Sequence, residues 1–398
     1  MPEFQTDVVI VGGCGHVGLP LGIVLADHGV KTVVFDINKA SVDLVNDKVM
    51  PFDEPDAPEV LARVIDNGNL RASNDRREIG RAETVIIVIG TPVDEHLNPD
   101  LFAVPEAVEA LADELVDGQL MVLRSTIYPG VTALLEALVH RLGRDIDVAF
   151  CPERIAEGKA MVELAALPQI VSARTERAFE RAEALFGQIA ADSVRLVPEE
   201  AELAKLFTNS YRYIKFAVAN QFFMIANEYG LDFEKIRHAV SYNYPRAADL
   251  PGPGFAAGPC LFKDAMQLAA FNNNNFTLGH SSMLINEGLP LYLVSKADDA
   301  YGLAGKTVGI LGMAFKAESD DNRASLSYKL KRILRFRAGE VLCTDPFVTT
   351  DPALTPLDEV LERSDLLFVG APHQAYHHLK PTQPVVDVWN MFGNGVTV

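Results

Sequence analysis

The chain is short of cysteine, short of basic residues and without a long apolar run, and each shortage removes a class of function. Among 398 residues there are four cysteines, Cys14, Cys151, Cys260 and Cys343, far apart and with no CxxC pair. A disulfide-stapled scaffold is excluded and no metal site is expected; reduced, buried thiols in a cytoplasmic protein are the default. Lysine and arginine number 35 against 54 acidic residues, a net charge of −19. Binding to nucleic acid rests on basic neutralisation of phosphates, so neither nucleic acid nor an anionic membrane surface is an expected partner. An anionic small ligand would require positive groups concentrated locally. The longest apolar run, around residues 84–93, falls well below the ~18 residues of a membrane span. Residues 1–7 lack a basic stretch followed by an apolar one, so no secretion signal is expected.

What is present is globular. Hydrophobic residues make up 48% and charged residues 22%, an ordinary balance, and the length suggests two or three domains. Asp7-Val8-Val9-Ile10-Val11 reads as a buried strand running into Gly13-Cys14-Gly15-His16-Val17-Gly18, a GxGxxG. An apolar helix pattern follows (Leu19, Leu21, Ile23, Val24, Leu25) and ends near Gly29; a second strand over 31–35 ends at Asp36. In this arrangement Gly13 allows the tight turn, Gly15 lets the backbone approach a pyrophosphate, and Gly18 packs helix against strand. The helix N-terminus offers N–H donors to the phosphates. Asp36 would accept the adenosine ribose hydroxyls and repel a 2′-phosphate, which favours NAD over NADP.

Further apolar strands are expected at 84–89, 120–123, 147–150, 170–172 and 193–196. Ligands of open α/β sheets sit beyond the carboxyl ends of strands, which places Thr91, Thr126 and Glu153 near one; Thr91 and Thr126 could equally end strands or cap helices. From Glu200 the pattern turns helical: 201–229 has no Gly or Pro, a shorter helix spans 233–240, a Pro/Gly-rich stretch covers 244–259, and more helix runs to about 300 with a kink expected at Pro290. A long helix with apolar residues on several faces suggests a helical connector that dimerises. At Gly305 the sheet pattern restarts, with strands over 306–311, 340–343, 365–368 and 385–388 but no full GxGxxG. The expected fold is α/β, two Rossmann-like doubly wound lobes joined by an all-α long-helix domain, divided as 1–199, 200–302 and 303–398.

Several residues could carry chemistry. Pro259 suits the first position of a helix, which puts Cys260 in its first turn, where a thiolate is favoured. Asp264 follows one turn later on the same face, and Lys263 partly offsets its charge. The blander alternative is a buried cysteine beside a solvated Lys-Asp pair. Lys205 and Asn209, four apart on the long helix, share a face and could donate to an oxyanion; a snorkelling surface lysine is the alternative. Glu153 and Glu157 could do acid/base work at a strand end, with a solvated pair as default. The basic segment 323–337 carries Leu326, Leu330, Ile333 and Leu334 at helical spacing, a mostly solvated amphipathic helix from which Arg323 would face a ligand phosphate.

Taken in order, these motifs resemble the UDP-glucose/GDP-mannose dehydrogenase family over nearly the whole chain. The matching series is Gly13 to Gly18 with Asp36; Thr91-Pro92; Ser125-Thr126 before Pro129-Gly130; Pro152-Glu153 through Glu157-Gly158; and Ala201-Glu202 with Lys205 and Asn209. It continues with Cys260 and Lys263-Asp264, Gly312 through Phe315-Lys316 with Asp320-Asp321 and Arg323, and Asp345-Pro346. The resemblance implies oxidation of the C6 alcohol of a nucleotide-linked sugar to a carboxylate with two NAD. It implies that Cys260 is the nucleophile, that Lys205 and Asn209 stabilise oxyanions, and that Asp264 and Thr126 act through an ordered water. Glu157 would activate water, with Glu153 in the same substrate loop. Gly258, Lys316 and Arg246 would contact the sugar nucleotide, Arg246 from a neighbouring subunit, and Arg323 and Lys263 would lie near NAD.

The chain departs from the family before the cysteine. Gly254-Phe255-Ala256-Ala257-Gly258-Pro259-Cys260 replaces glycines and is one residue longer than usual, and Cys14 and His16 stand where bulkier or aromatic residues are frequent. Substrate cues divide: Cys151-Pro152-Glu153-Arg154, Tyr244-Pro245-Arg246 and Pro251-Gly252-Pro253-Gly254 resemble N-acetylhexosamine enzymes, and Leu261-Phe262-Lys263-Asp264 the UDP-glucose type. Two other readings are a single-oxidation hydroxyacid-type dehydrogenase, which needs no nucleophilic cysteine, and a non-catalytic NAD or nucleotide-sugar scaffold, which has no use for Cys260, Lys205, Asn209 and Asp264 together.

Overall fold

In a computed structural model, residues 4–91, 94, 100–396 and 398 are described. Pro92 and Val93 of the sequence motifs, and Met1, Pro2 and Glu3, lie outside them. The chain divides into two compact units, Met1–Phe207 and Thr208–Val398.

The first unit is built on an eight-stranded sheet. β1 (Thr6–Val11) leads to α1 (Gly18–Asp27), β2 (Thr32–Phe35), α2 (Lys39–Asn46), α3 (Ala57–Asp66) and β3 (Leu70–Ser73). β4 (Ala82–Ile87), α4 (Ala103–Glu109), β5 (Leu120–Leu123), α5 (Val131–Arg141) and β6 (Asp147–Phe150) follow. α6 (Ala160–Ala166), β7 (Gln169–Ala173), α7 (Glu176–Phe186) and β8 (Ser193–Leu196) complete it. The strand order is β3-β2-β1-β4-β5-β6-β7-β8, parallel except for the antiparallel pair β6–β7. Alternate residues of one strand enter two cores: Val8 and Ile10 pack on one side of the sheet, Val9 and Val11 on the other. Helices cover both faces, as a parallel sheet requires. The order reverses at β1, the kind of switch point at which open α/β sheets bind ligands beyond their strand ends.

β3 escapes the hydrophobic pattern because Leu70-Arg71-Ala72-Ser73 is an edge strand with only Leu70 and Ala72 inward. β4 lies two residues earlier than the apolar run suggests, since beyond it the Ile89 N–H bonds to Ser125 Oγ at 2.8 Å instead of continuing the ladder.

α8 (Pro198–Glu228) begins in the first unit and ends in the second. Its start is fixed by Glu202, 1% exposed, which accepts the N–H groups of Gly130 and Thr132 at 2.7 and 2.9 Å. In the second unit, α9 (Phe233–Ser241), α10 (Leu261–Phe271) and α11 (Thr277–Tyr301) precede a four-stranded sheet. That sheet comprises β9 (Thr307–Leu311), β10 (Glu340–Thr344), β11 (Leu366–Val369) and β12 (Val385–Val386), ordered β10-β9-β11-β12 and all parallel, with α12 (Leu326–Leu334) and α13 (Leu357–Arg363) between strands. The helical stretch after Cys260 is thus two helices. Asn273 and Asn274, both at positive φ, end α10, a conformation asparagine tolerates better than most side chains. α12 starts at Leu326 on a Ser325 cap, so Arg323 stands before the helix and not in it. No described helix is long and apolar enough to cross a membrane.

Candidate active site

β1 ends in a turn whose tight point is Gly12, not Gly13. Gly12 has φ +76°, and a Cβ there would lie 2.1 Å from the Val88 carbonyl oxygen. A side chain would meet both backbone strain and collision. Gly13 serves close approach instead: its Cβ would fall 2.7 Å from Val34 Cβ. A Cβ on Gly18 would strike Gly12 O and Gly13 Cα at 2.8 Å, so α1 sits hard on the turn. Above Gly15 the space is open, the nearest atom being Gly12 O at 3.7 Å. Val17, the cap residue before α1, supplies no side-chain cap; the Leu19 N–H bonds to Gly15 O at 3.0 Å and Pro20 carries no N–H. At the end of β2, Asp36 is half-buried and accepts the N–H of Cys14 at 3.1 Å and of Asn38 at 3.0 Å. An open glycine, a helix start with no side-chain cap over it and a carboxylate at the next strand end fit a dinucleotide.

The ends of β4 and β5 are tied together: Thr91 Oγ1 donates to the Thr126 carbonyl at 2.6 Å, and Ser125 Oγ to Ile89 O at 2.7 Å. Beyond β6 the two glutamates part company. Glu153 is 6% exposed and forms an ion pair with Arg124, which is 1% exposed. Its other oxygen accepts the N–H of Arg154 at 2.6 Å and of Ile155 at 3.0 Å. Arg124 also reaches Gln169 Oε1 at 3.0 Å and the Cys151 carbonyl at 3.1 Å. Glu153 is therefore an interior anion that shapes its loop, not half of a solvated pair. Its backbone carbonyl accepts from Lys205 Nζ at 2.5 Å, which holds the half-buried lysine off the bulk solvent. Glu157 lies further along the loop, its Oε1 3.7 Å from His16 Nδ1. The His16 ring packs on Phe52 at 4.0 Å between centroids.

In the second unit Cys260 occupies the cap position preceding α10, one residue outside the first turn that Pro259 suggests. Cys260 is exposed. Asp264, fully buried, accepts from Asn209 Nδ2 at 2.5 Å, and Lys263 Nζ lies 2.9 Å from its other oxygen. The Asp264 N–H bonds back to the Cys260 carbonyl at 2.9 Å, closing the first turn. Gly258 has φ +98°, and a Cβ on it would lie 2.6 Å from the Phe315 ring. Lys316 is half-buried with Nζ 5.6 Å from the same ring. Arg323 grips the Asp321 carboxylate with Nε and Nη2, at 2.6 to 2.9 Å. Arg246 is exposed and stacks on Tyr244, its guanidinium 4.6 Å from the ring centre.

The other three cysteines are buried. Burial, with Asp36 adding to it, pushes the Cys14 thiol up to about 12. Burial pushes Cys151 to about 12 and Cys343 to about 11. These thiols are inert near neutrality.

Three family models match the chain in sequence. Residues 7–190 match the NAD binding domain of the UDP-glucose/GDP-mannose dehydrogenase family, 199–287 its central domain and 309–394 its UDP binding domain. The chain belongs to this family. A UDP-N-acetyl-D-mannosamine dehydrogenase of Pyrococcus horikoshii is 30% identical over 383 residues, covering 92% of this chain and 90% of that protein. An NDP-N-acetyl-D-galactosaminuronic acid dehydrogenase of Ralstonia solanacearum is 29% identical over 403 residues, covering 95% and 93%. Among solved structures, a UDP-D-ManNAc dehydrogenase from Pyrococcus horikoshii superposes with a TM-score of 0.91 at 26% identity, over 98% of this chain and 97% of that one. A UDP-glucose dehydrogenase from Pyrobaculum islandicum gives 0.89 at 25%, over 100% and 98%. The protein is an NAD-dependent nucleotide-sugar dehydrogenase.

For this family member, three features at the site were not legible as such. Gly12 hides behind the adjacent Gly13, and a doubled glycine at a strand end is the signal that could have raised it. Arg124 reads as the polar end of a strand, and its partner is 29 positions away. Glu54, which binds the Glu157 loop, lies 104 positions from its contact and carries no local signature.

Proposed function

We propose that the enzyme oxidises the C6 primary alcohol of a UDP-linked sugar to the uronic acid in two successive two-electron steps. A UDP-N-acetylhexosamine is the preferred substrate and UDP-glucose the alternative. The activities of the relatives support the amino sugar, as do the Cys151-Pro152-Glu153-Arg154 and Tyr244-Pro245-Arg246 motifs. The observation that carries the covalent mechanism is the contrast among cysteines: Cys260 is exposed at a helix start, and the rest are buried with raised pKa.

NAD, when bound, accepts a hydride at each oxidation; Gly13, Gly15, Gly18, Asp36, Thr91 and Thr126 would hold it, with Lys263 and Arg323 in the same role. The chain's own residues do the rest. After the first oxidation the aldehyde carbon is attacked by the Cys260 thiolate, giving a thiohemiacetal whose carbon can lose a second hydride. Helix donors at the start of α10 favour the thiolate. Lys205 and Asn209, one turn apart on α8, stabilise the oxyanion, and Asp264 keeps Asn209 oriented while acting with Thr126 through water. The resulting thioester is attacked by water that gives its proton to Glu157, and the C–S bond breaks to return the thiolate. One alcohol, two NAD+ and one water yield one carboxylate, two NADH and three protons. Glu153, Arg246, Gly258 and Lys316 shape or contact the sugar-nucleotide site.

The assembly proposed is a homodimer through the central helices, in a cytoplasmic setting. α8 leaves Tyr211, Val218, Phe222 and Ile225 exposed in steps of seven, four and three, with Tyr229 just past its end, a helical stripe that a second copy would bury. The domain division at 1–199, 200–302 and 303–398 is part of the same reading, supported by the three matched segments. A panel of UDP-sugars scored by NADH release tests the substrate. Cys260→Ser tests the chemistry: both ligands still bind and steady turnover is lost. Acid formation by that variant at the parental rate refutes the covalent step.

A further inference from the structure

Glu54 stands between α2 and α3 in Phe52-Asp53-Glu54-Pro55 and is 1% exposed. Its Oε2 accepts the Gly158 N–H at 2.8 Å and its Oε1 the Ala160 N–H at 2.7 Å. Gly158 directly follows Glu157, and Ala160 opens α6. Lys159, at the cap position of α6, makes no side-chain cap, so a carboxylate from a remote segment accepts the donors there. Two further carboxylates complete the pattern. Glu153 takes the N–H groups of Arg154 and Ile155, and Glu163 Oε2 takes that of Ala156 at 2.6 Å. Three glutamates thus bind five backbone N–H groups around Glu157. Charge-assisted bonds of this kind are the strong ones, and Glu54 alone of the three comes from outside the loop and its helix. The same segment supplies Phe52, which packs on His16, whose Nδ1 lies 3.7 Å from Glu157 Oε1. Residues 52–54 therefore act on Glu157 twice, through the backbone after it and through the imidazole beside it.

We propose that Glu54 is a positioning residue for Glu157, holding its carboxylate where it takes the proton of the water that attacks the Cys260 thioester. The inference rests on the reading of Glu157 as the water-activating group. The clamp needs two acceptor oxygens. A glutamine offers one, and would turn its NH2 toward the second N–H. Displacing a reacting group by about 1 Å can cost on the order of 100-fold in rate, and here the cost falls on hydrolysis alone, because Glu157 takes no part in either oxidation.

The test is pre-steady-state NADH release with intact-protein mass spectrometry on Glu54→Gln, Glu54→Ala and Glu157→Gln, using the best UDP-sugar of the panel and saturating NAD. In both Glu54 variants the early burst of NADH keeps its parental rate, steady turnover falls roughly 10- to 100-fold, and an acyl adduct accumulates on Cys260. Glu54→Gln, which keeps one bond, falls less than Glu54→Ala. Parental turnover in Glu54→Gln overturns the proposal, as does a burst that slows in step with turnover without an adduct, the mark of a merely structural residue. An adduct in Glu157→Gln but in neither Glu54 variant overturns the positioning role alone. Absence of an adduct in Glu157→Gln overturns the assignment of Glu157 and the proposal with it.

Discussion

The two sheets open with the same device and use it differently. In each, the first strand runs into a glycine at positive φ, Gly12 after β1 and Gly312 after β9, and the next strand in the chain ends at an aspartate that accepts N–H groups from that turn. Asp36 accepts two backbone N–H groups and remains half-buried. A carboxylate has about four lone-pair positions, so it retains capacity for a ribose. Asp345 has a fully buried side chain and accepts four backbone N–H groups, from Met313, Ala314, Phe347 and Val348, plus His373 Nε2 at 3.1 Å. The Glu318 N–H donates to His373 Nδ1 at 3.0 Å, which makes Nε2 the protonated nitrogen and a donor to Asp345. One aspartate is left open for a ligand, and the other is saturated by the protein. What separates a dinucleotide turn from a structural one is thus the unspent capacity of the acid, together with the open face over Gly15.

The largest effects that would break this comparison are at the two glycines. Gly12→Ala and Gly312→Ala each place a Cβ within 2.4 Å of a carbonyl oxygen at positive φ, and each is expected to cost roughly 3 kcal/mol or more. Urea unfolding checks this; parental stability in either variant would show that its turn is not built as described. Next come the acids. Asp345→Asn is expected to lose about 2 to 3 kcal/mol with NAD affinity unchanged. Asp36→Ala is expected to weaken NAD binding about 10- to 100-fold with little change in melting. Calorimetry on both variants reads the two quantities side by side, and an exchange of the two phenotypes would invert the assignment.

The pH dependence is a finer probe. Burial alone would push the Asp345 carboxyl up, but His373 and the N–H groups of Val348 and Ala314 hold it down at about 2. Because the folded value lies below the ordinary ~3.9, its contribution is present above about pH 4 and is lost as pH falls toward 2. The melting gap between the parent and Asp345→Asn should therefore narrow across that window, and a gap constant from pH 6 to pH 2.5 would contradict it. The smallest effect is in thiol reactivity. With Cys14 and Cys151 near 12 and Cys343 near 11, iodoacetamide at pH 8 should label Cys260 first, and peptide mapping that finds Cys14 labelled first would remove the contrast on which the mechanism rests.

Most of the fold was readable because parallel strands buried on both faces announce themselves as apolar runs ending in glycine or a polar residue. β5, β6 and β8 fall where those runs place them. What was not readable either lacked a local pattern or depended on a partner distant in the chain. The edge strand β3 lacks the run, the break between α10 and α11 is made by left-handed asparagines, and the role of Glu153 depends on Arg124. The glycine fingerprint was visible, yet the duty of its members was not, since φ and close contact decide which glycine turns and which merely packs. Cys260 was placed at a helix start from Pro259, one residue from its position, because a proline before the cap and a proline in the first turn look alike in sequence.

The proposed mechanism requires two oxidations at one carbon through one sulfur, and product stoichiometry measures that most directly. With the preferred UDP-sugar at limiting concentration, NADH formed per sugar consumed should be two, with the uronic acid as product. A ratio of one, with free aldehyde released, would contradict it.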